Sequence, residues 1–168
     1  MQSRIDTTAK TVVKLLKEKS LKLSTAESCT GGLISAAITS VSGSSEVFDL
    51  GICTYANSAK TAFLGVPDEI LREYGAVSEQ TALIMAQGIR KAAQSDIGIS
   101  VTGIAGPTGD EGGKPVGTVF IGVCTKDKTY ALENHFALAK GQTDIRKSVR
   151  EQTVLKALEL ALNEAQIL

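Results

Sequence analysis

Apolar residues recur along the start of the chain with the period of an amphipathic helix. The apolar face consists of Val12, Val13, Leu15 and Leu16, and lysines occupy the opposite face. Asp6 is a residue type that favours the N-cap position, and the apolar period ends near Lys19. The pattern therefore predicts a first helix that Asp6 caps and that ends at about Lys19.

The rest of the chain divides into short alternating segments. The predicted strands are residues 22–26, 47–55, 97–101, 119–124 and 129–136. The predicted helices are residues 33–41, 58–64, a segment that begins at 67, 78–93 and 144–163. Helices and strands alternate early and a hairpin comes late, which predicts an α/β fold. We expect a single three-layer α/β/α domain over residues 1–168, with a mixed, partly parallel sheet.

Charge and cysteine content exclude several classes of protein. Eighteen basic and eighteen acidic residues cancel, and no basic run occurs, which argues against a nucleic-acid partner. Three dispersed cysteines without a CxxC pair favour free thiols in a reducing cytoplasm over disulfides or a zinc site. No segment approaches the roughly 20 apolar residues of a membrane span. We expect a cytoplasmic protein that has no metal, cofactor or membrane partner, and a homo-oligomer is compatible with the sequence.

Two loops follow predicted parallel strands, where ligands of α/β proteins usually bind. In TAESCTGG (25–32), Thr30, Gly31 and Gly32 would place backbone N–H groups at a helix start, which favours an anion. Glu27 and Ser28 belong to the same candidate site. The alternative is a tight strand-to-helix turn with a polar cap.

The second loop, residues 103–118, is rich in glycine and is a candidate for wrapping a phosphate with backbone amides. Gly103 and Gly106 are its candidate contacts, and Thr102 would present a hydroxyl beside it. Asp110 and Glu111 are expected to be solvated. The alternative is a flexible connection.

Two arginines one helical turn apart, Arg146 and Arg150, share a face of the last predicted helix. They are candidates for clamping a carboxylate or phosphate. An exposed helix face without a ligand is the alternative.

The stretch from residue 43 to 60 carries the candidate catalytic chemistry. His135 is the only histidine, so a serine nucleophile would need another base, and a lysine with a lowered pKa is one substitute. Ser44 or Ser45 would be the nucleophile, Lys60 the base, and Tyr55 a proton relay. Turn serines and a solvated lysine are the alternative.

Six motifs occur in order over most of the chain: TAESCTGG (25–32), GSS (43–45), TYANSAK (54–60), GAVSE (75–79), TGIAGPTG (102–109) and KPVGTV (114–119). Together they resemble the CinA C-terminal domain family, whose characterised enzymes are nicotinamide-nucleotide amidases. The resemblance implies a three-layer α/β fold and a metal-free hydrolase. Its substrate would be nicotinamide mononucleotide, converted to nicotinic acid mononucleotide and ammonia.

The resemblance also implies roles for particular residues. The nucleophile falls on Ser45, the base on Lys60, and the assisting tyrosine on Tyr55. Thr102 supplies a hydroxyl. A catalytic arginine falls on Arg146, or on the position of Thr143 if Gly141 marks the loop. A non-catalytic module that binds a nucleotide or a partner is the competing function.

Overall fold

A computed structural model describes residues 1–109, 112–140 and 143–168. Asp110 and Glu111, which we expected to be solvated, and Gly141, the alternative loop marker, lie outside the described residues. No helix within the described ranges is long and apolar enough to cross a membrane.

Every predicted helix and strand is present, with shifted ends. The strands are β1 Leu23–Glu27, β2 Phe48–Cys53, β3 Ile97–Gly103, β4 Thr118–Cys124 and β5 Thr129–His135. The helices are α1 Gln2–Lys19, α2 Leu33–Thr39, α3 Asn57–Leu64, α4 Asp68–Glu73, α5 Glu79–Ala93 and α6 Ile145–Ile167. A short 3₁₀ helix, Ser44–Glu46, was not predicted.

The predicted cap of the first helix is wrong. Helix α1 begins at Gln2, so Asp6 lies inside the helix. There its carboxylate accepts a hydrogen bond from Gln2 Nε2 at 2.7 Å. The predicted cap of α5 is correct, since Ser78 Oγ accepts a hydrogen bond from the Thr81 amide at 3.2 Å.

The five strands form one mixed sheet in the order β2-β1-β3-β4-β5. Strand β1 pairs in parallel with both β2 and β3, whereas β4 pairs antiparallel with β3 and β5. The sheet is therefore parallel on one side and antiparallel on the other, which confirms the predicted mixed architecture.

Helices cover both faces of the sheet and complete the three layers. One core joins α1 and α6 to the sheet through residues such as Val12, Leu158 and Ile99. The other face carries α5, whose Met85 and Ile89 pack with Ala26 of β1. The α/β fold predicted from the pattern is confirmed.

Helix α5 packs its backbone directly against two strand residues that lack side chains. A methyl group at Gly98 would lie 2.5 Å from the Ala86 carbonyl oxygen, and one at Gly122 would meet the Ala82 carbonyl oxygen. Such distances are well inside van der Waals contact. Glycine at both positions therefore sets the helix-to-sheet distance.

The carboxyl ends of the three parallel strands lie at one edge of the sheet. Ser28, Thr54 and Ile104 directly follow β1, β2 and β3. Because Ser45 precedes β2, it lies at the opposite edge, about 20 Å away along a strand of six residues.

Candidate active site

A buried lysine lies at the carboxyl edge of the parallel strands. Lys60 is in the first turn of α3 and is only 1% exposed. Its Nζ lies 3.3 Å from Ser28 Oγ and donates hydrogen bonds to the carbonyl oxygens of Thr54 at 2.9 Å and Tyr55 at 3.2 Å. The side chain thus bridges the ends of β1 and β2.

Burial lowers the pKa of Lys60 from its ordinary value of 10.5 because the charged form loses hydration. Nearby Cys29 and Cys53 oppose this shift only in part. No carboxylate within the described ranges forms an ion pair with this lysine. Its proton is therefore lost at a lower pH than that of a solvated lysine.

The contacts of Lys60 also fix the direction of its amine. Nζ has three oxygen acceptors around it, the hydroxyl of Ser28 and the carbonyl oxygens of Thr54 and Tyr55, which match the three N–H donors of the charged form. When the amine loses a proton, the two carbonyl oxygens still require donors, so the lone pair faces the hydroxyl of Ser28. In that form, the arrangement can place a general base beside a serine nucleophile.

Ser45, the nucleophile expected from the resemblance, is not brought to Lys60. It is exposed in the 3₁₀ helix before β2, in a segment where Glu46 pairs with Lys17 at 2.8 Å. Lys60 follows β2, so the full length of the strand separates the two side chains. The structure places Ser28, expected only to bind substrate, at the lysine instead.

Glu27, also expected to bind substrate, is fully buried and turned away from Lys60. Its carboxylate accepts hydrogen bonds from the amides of Gly32, Ile34 and Ser35 at 3.0, 3.1 and 2.8 Å. The protein's own carboxylate thus occupies the start of α2 that we expected to attract a phosphate.

The turn between β1 and α2 is further fixed by backbone contacts. The Gly31 amide donates to the Ser28 carbonyl oxygen at 3.1 Å, and the Ser28 amide donates to the Val101 carbonyl oxygen at 3.0 Å. The amides of Gly31 and Gly32 are therefore engaged within the protein. Of the residues expected to hold a phosphate here, Thr30 alone has an amide that donates to no group in the described part of the chain.

Thr102 brings another motif to the site. Its Oγ1 donates to the Ala76 carbonyl oxygen at 2.7 Å, which ties the end of β3 to the GAVSE segment before α5. The Thr54 hydroxyl, which we had not singled out, is fully buried and has no hydrogen-bond partner among the described residues. These threonines line the same edge of the sheet as Ser28.

Tyr55 contacts the site in two ways. Its backbone carbonyl oxygen accepts a hydrogen bond from Lys60 Nζ, and its hydroxyl accepts one from Arg146 Nη2 at 3.1 Å. The ring is 62% exposed. The hydroxyl therefore faces Arg146 and not the lysine that it was expected to assist.

Arg146 and Arg150 do not form the expected joint clamp. Arg146 Nη1 donates to the Gly106 carbonyl oxygen at 2.8 Å, and Arg150 Nη2 donates to the Thr30 carbonyl oxygen at 2.8 Å. Each arginine holds one of the two candidate loops against α6. Thr143, the alternative position, lies before the helix and is exposed.

The two candidate glycines of the second loop are packing positions. A methyl group at Gly103 would lie 2.6 Å from Val119 Cγ2, and one at Gly106 would lie 2.5 Å from Val116 Cγ1. Gly106 also has a φ of +82°, which glycine adopts readily.

The cysteine nearest the site is not suited to nucleophilic chemistry. Cys29 is buried, and this burial raises the pKa of its thiol to about 12. The thiolate, which is the reactive form, is therefore scarce at neutral pH. Within the described residues, no cluster of three or more His, Cys, Asp or Glu side chains could hold a metal ion.

Comparison with known proteins identifies the family of this arrangement. The profile of the CinA C-terminal domain matches residues 5–165. The chain belongs to the CinA C-terminal domain family. A CinA-like protein of Syntrophus aciditrophicus is 52% identical over 125 residues, which are 74% of this chain and 30% of that protein.

Another curated relative is also longer than this CinA domain. A protein of Caldicellulosiruptor bescii described as a putative competence-damage inducible protein is 51% identical over 149 residues. The alignment covers 89% of this chain and 35% of the relative. This CinA domain thus spans about a third of the length of these curated relatives.

Solved structures share the whole fold. The crystal structure of a CinA superfamily protein from Klebsiella pneumoniae has a TM-score of 0.90 at 30% identity and covers 98% of this chain and 99% of that one. The structure of a competence/damage inducible protein from Agrobacterium tumefaciens has a TM-score of 0.86 at 42% identity, with 95% and 96% covered.

Proposed function

We propose that this CinA domain is a serine–lysine amidase with Ser28 as nucleophile and Lys60 as general base. The observation that carries the proposal is the 3.3 Å separation of Ser28 Oγ from the Nζ of a lysine that is buried and has a lowered pKa. A lysine buried without a carboxylate partner is costly for stability, which favours a functional reason for its position.

The proposed substrate is nicotinamide mononucleotide, as in the characterised enzymes that the sequence resembles. Ser28 Oγ attacks the carboxamide carbon while its proton moves to Lys60 Nζ. The resulting ammonium returns that proton to the leaving nitrogen, the C–N bond breaks, and ammonia departs. Lys60 then takes a proton from water as the water oxygen attacks the ester carbon. The proton passes to Ser28 Oγ as the ester C–O bond breaks, which releases nicotinic acid mononucleotide and regenerates the free serine and the neutral lysine.

Other groups at the site have supporting roles in this proposal. The free Thr30 amide is the candidate donor to the oxyanion; one such donor typically contributes about 3 kcal/mol in the transition state. The exposed ring of Tyr55 offers a flat surface for the pyridinium. Arg146, which is half-buried, and the 103–118 loop are the candidates for the phosphate, since Glu27 fills the start of α2.

Ammonia release from nicotinamide mononucleotide by the purified protein tests this function. We expect turnover by the wild type and its loss in Lys60→Ala, with both proteins folded. Sustained turnover in Lys60→Ala would contradict the lysine's role.

A folded wild-type protein that binds the nucleotide without releasing ammonia would support the non-catalytic module instead. The names of the relatives refer to competence and damage induction and are compatible with that alternative. A cytoplasmic location and a homo-oligomer remain predictions.

A further inference from the structure

The residue directly before the proposed nucleophile is a fully buried carboxylate. Glu27 ends β1, and its side chain has no exposed surface. In addition to its three amide donors, its Oε1 accepts the Ser35 hydroxyl at 2.7 Å. Four hydrogen bonds therefore satisfy a charge that is otherwise costly to bury.

These bonds close the turn that carries Ser28. The first amides of a helix lack partners within the helix, and a carboxylate placed there is stabilised by both the donors and the helix dipole. Here the carboxylate comes from residue 27 and the amides from residues 32, 34 and 35, so the bonds span the intervening residues 28–31. The position of Ser28 is thus fixed from both ends of the turn.

A second layer supports this carboxylate. Ser35 Oγ lies 2.9 Å from Thr25 Oγ1 on β1, so α2 is also bonded directly to the strand. On the neighbouring strand, a methyl group at Gly51 would overlap Ser35 Oγ and lie 2.9 Å from Thr25 Oγ1. The absence of a side chain at Gly51 is what allows this layer to form.

Successive side chains of an extended strand point to opposite faces. Glu27 points to the α2 face, where it meets Gly32 and Ser35, whereas Ser28 Oγ meets Lys60 on the α3 side. Among the described residues, no hydrogen bond joins Glu27 to Lys60, and the Glu27 side chain has no exposed surface. It is therefore not placed to act as an acid or base.

We propose that Glu27 is a positioning residue that holds the Ser28 hydroxyl at Lys60 by capping α2. This inference rests on the proposed catalytic roles of Ser28 and Lys60. A displacement of about 1 Å at a reacting atom can cost about 100-fold in rate, so the effect of Glu27 should appear in the reactivity of Ser28.

The test uses diisopropyl fluorophosphate, which reports nucleophile reactivity without relying on the identity of the natural substrate. Ser28 Oγ forms a bond to phosphorus as the P–F bond breaks, fluoride leaves, and the hydroxyl proton goes to Lys60. Intact-mass measurement follows the labelling rate of the full chain, and Ser28→Ala identifies the labelled residue.

Glu27→Gln keeps the shape but replaces one acceptor oxygen with an NH₂ group that faces backbone donors. We expect labelling to slow by about tenfold or more. The pH at which the labelling rate is half of its maximum should be the same as in the wild type, because the pKa of Lys60 sets it. Ser35→Ala removes one of the four bonds to Glu27, together with the contact to Thr25, and leaves the carboxylate, so we expect a smaller loss of about two- to fivefold. This variant keeps the proposal testable if Glu27→Gln does not fold.

Glu164→Gln is the matched control, because it also replaces a buried carboxylate with an amide but lies away from Ser28. Glu164 is 2% exposed, lies near the end of α6, and accepts a hydrogen bond from Tyr130 at 2.7 Å. We expect this variant to unfold at a lower temperature than the wild type but to label at the wild-type rate.

The outcomes separate the two proposals. Wild-type labelling rates in Glu27→Gln, or in a folded Ser35→Ala if Glu27→Gln is unfolded, would overturn the positioning role. Equal slowing in Glu164→Gln would do the same. A wild type that labels at Ser28 but leaves nicotinamide mononucleotide intact would contradict only the proposed substrate. A wild type that does not label at Ser28 would contradict both the catalytic role of Ser28 and the positioning role of Glu27.

Discussion

The environment of Lys60 determines what its residue type can do. A lysine on the surface is a solvated charge, but Lys60 is buried between the ends of two strands and has carbonyl oxygens as its neighbours. Desolvation lowers its pKa, which makes the amine available as a base. Residue type and position together, not either one alone, produce the candidate chemistry.

The pH dependence of activity follows from the same residue. Because the neutral amine is the base, we predict that kcat/KM for nicotinamide mononucleotide rises with pH as Lys60 loses its proton. The lowered pKa places the midpoint of this rise below 10.5. A rate profile from pH 6 to 10 measures it; activity that falls as the pH increases over that range would contradict a neutral lysine base.

The free energy of unfolding should also depend on pH through Lys60. The unfolded chain has the ordinary lysine pKa of 10.5 and the folded chain a lower one, so between these values the unfolded state binds more protons. We predict that the wild type gains stability relative to Lys60→Met as the pH rises through this window. The gain should be complete above 10.5, where both states are neutral. Urea unfolding of the two proteins at several pH values compares them.

In that comparison the Lys60→Met protein supplies the reference for all other titrating groups. A wild type that loses stability relative to Lys60→Met as the pH rises would show that folding holds Lys60 in its charged form.

The structure brings only some of the residues expected to be catalytic to one end of the sheet. Tyr55 and Lys60 lie at the end of β2 as expected, but Ser45 lies before that strand. The six residues of β2 make close spacing in sequence a large separation in space. Ser28 could have been found from topology alone, since residues that follow two adjacent parallel strands meet at one sheet edge.

At the scale of elements, the start of α6 fixes the loops around the site. Arg146 and Arg150 each donate to a loop carbonyl oxygen, on Gly106 and Thr30 respectively. The one-turn spacing predicted that the two arginines share a face, which is correct. It did not predict that the protein's own backbone would take the donors, because sequence spacing does not show which acceptors lie opposite a helix.

The Arg150 contact leads to a prediction about the turn that carries Ser28. In Arg150→Gln the Thr30 carbonyl oxygen loses its donor, and we predict a fall in kcat of about tenfold because the turn relaxes. Steady-state ammonia release measures it. Lys147→Gln, an exposed change on the same helix, should keep the wild-type kcat. Equal losses in both variants would indicate a general effect of charge.

Helix α5 provides a prediction about packing. In Gly98→Ala, the added methyl group would press on the Ala86 carbonyl oxygen, and we predict destabilisation of about 1–3 kcal/mol. Gly109→Ala has only a 3.8 Å contact with the Lys114 carbonyl oxygen and should change stability little. Urea unfolding compares the two. A Gly98→Ala protein as stable as Gly109→Ala would show that α5 can move away from the sheet freely.

At the scale of the whole molecule, the periodicity of apolar residues was enough to predict the α/β layers. Short buried strands and amphipathic helices produce distinct patterns, so all the predicted elements are present. The ends of α1 and α6 were less accurate, because tertiary packing extends a helix beyond its local signals. The order of the strands, which decides which loops meet, has no comparable local signal.

The central claim is that Ser28, and not Ser45, is the nucleophile. Ammonia release from nicotinamide mononucleotide by Ser28→Ala and Ser45→Ala, measured side by side, tests this most directly. The two changes remove the same hydroxyl group from opposite edges of one sheet. We predict that Ser28→Ala loses activity while Ser45→Ala keeps it near the wild-type level. An active Ser28→Ala together with an inactive Ser45→Ala would contradict the account.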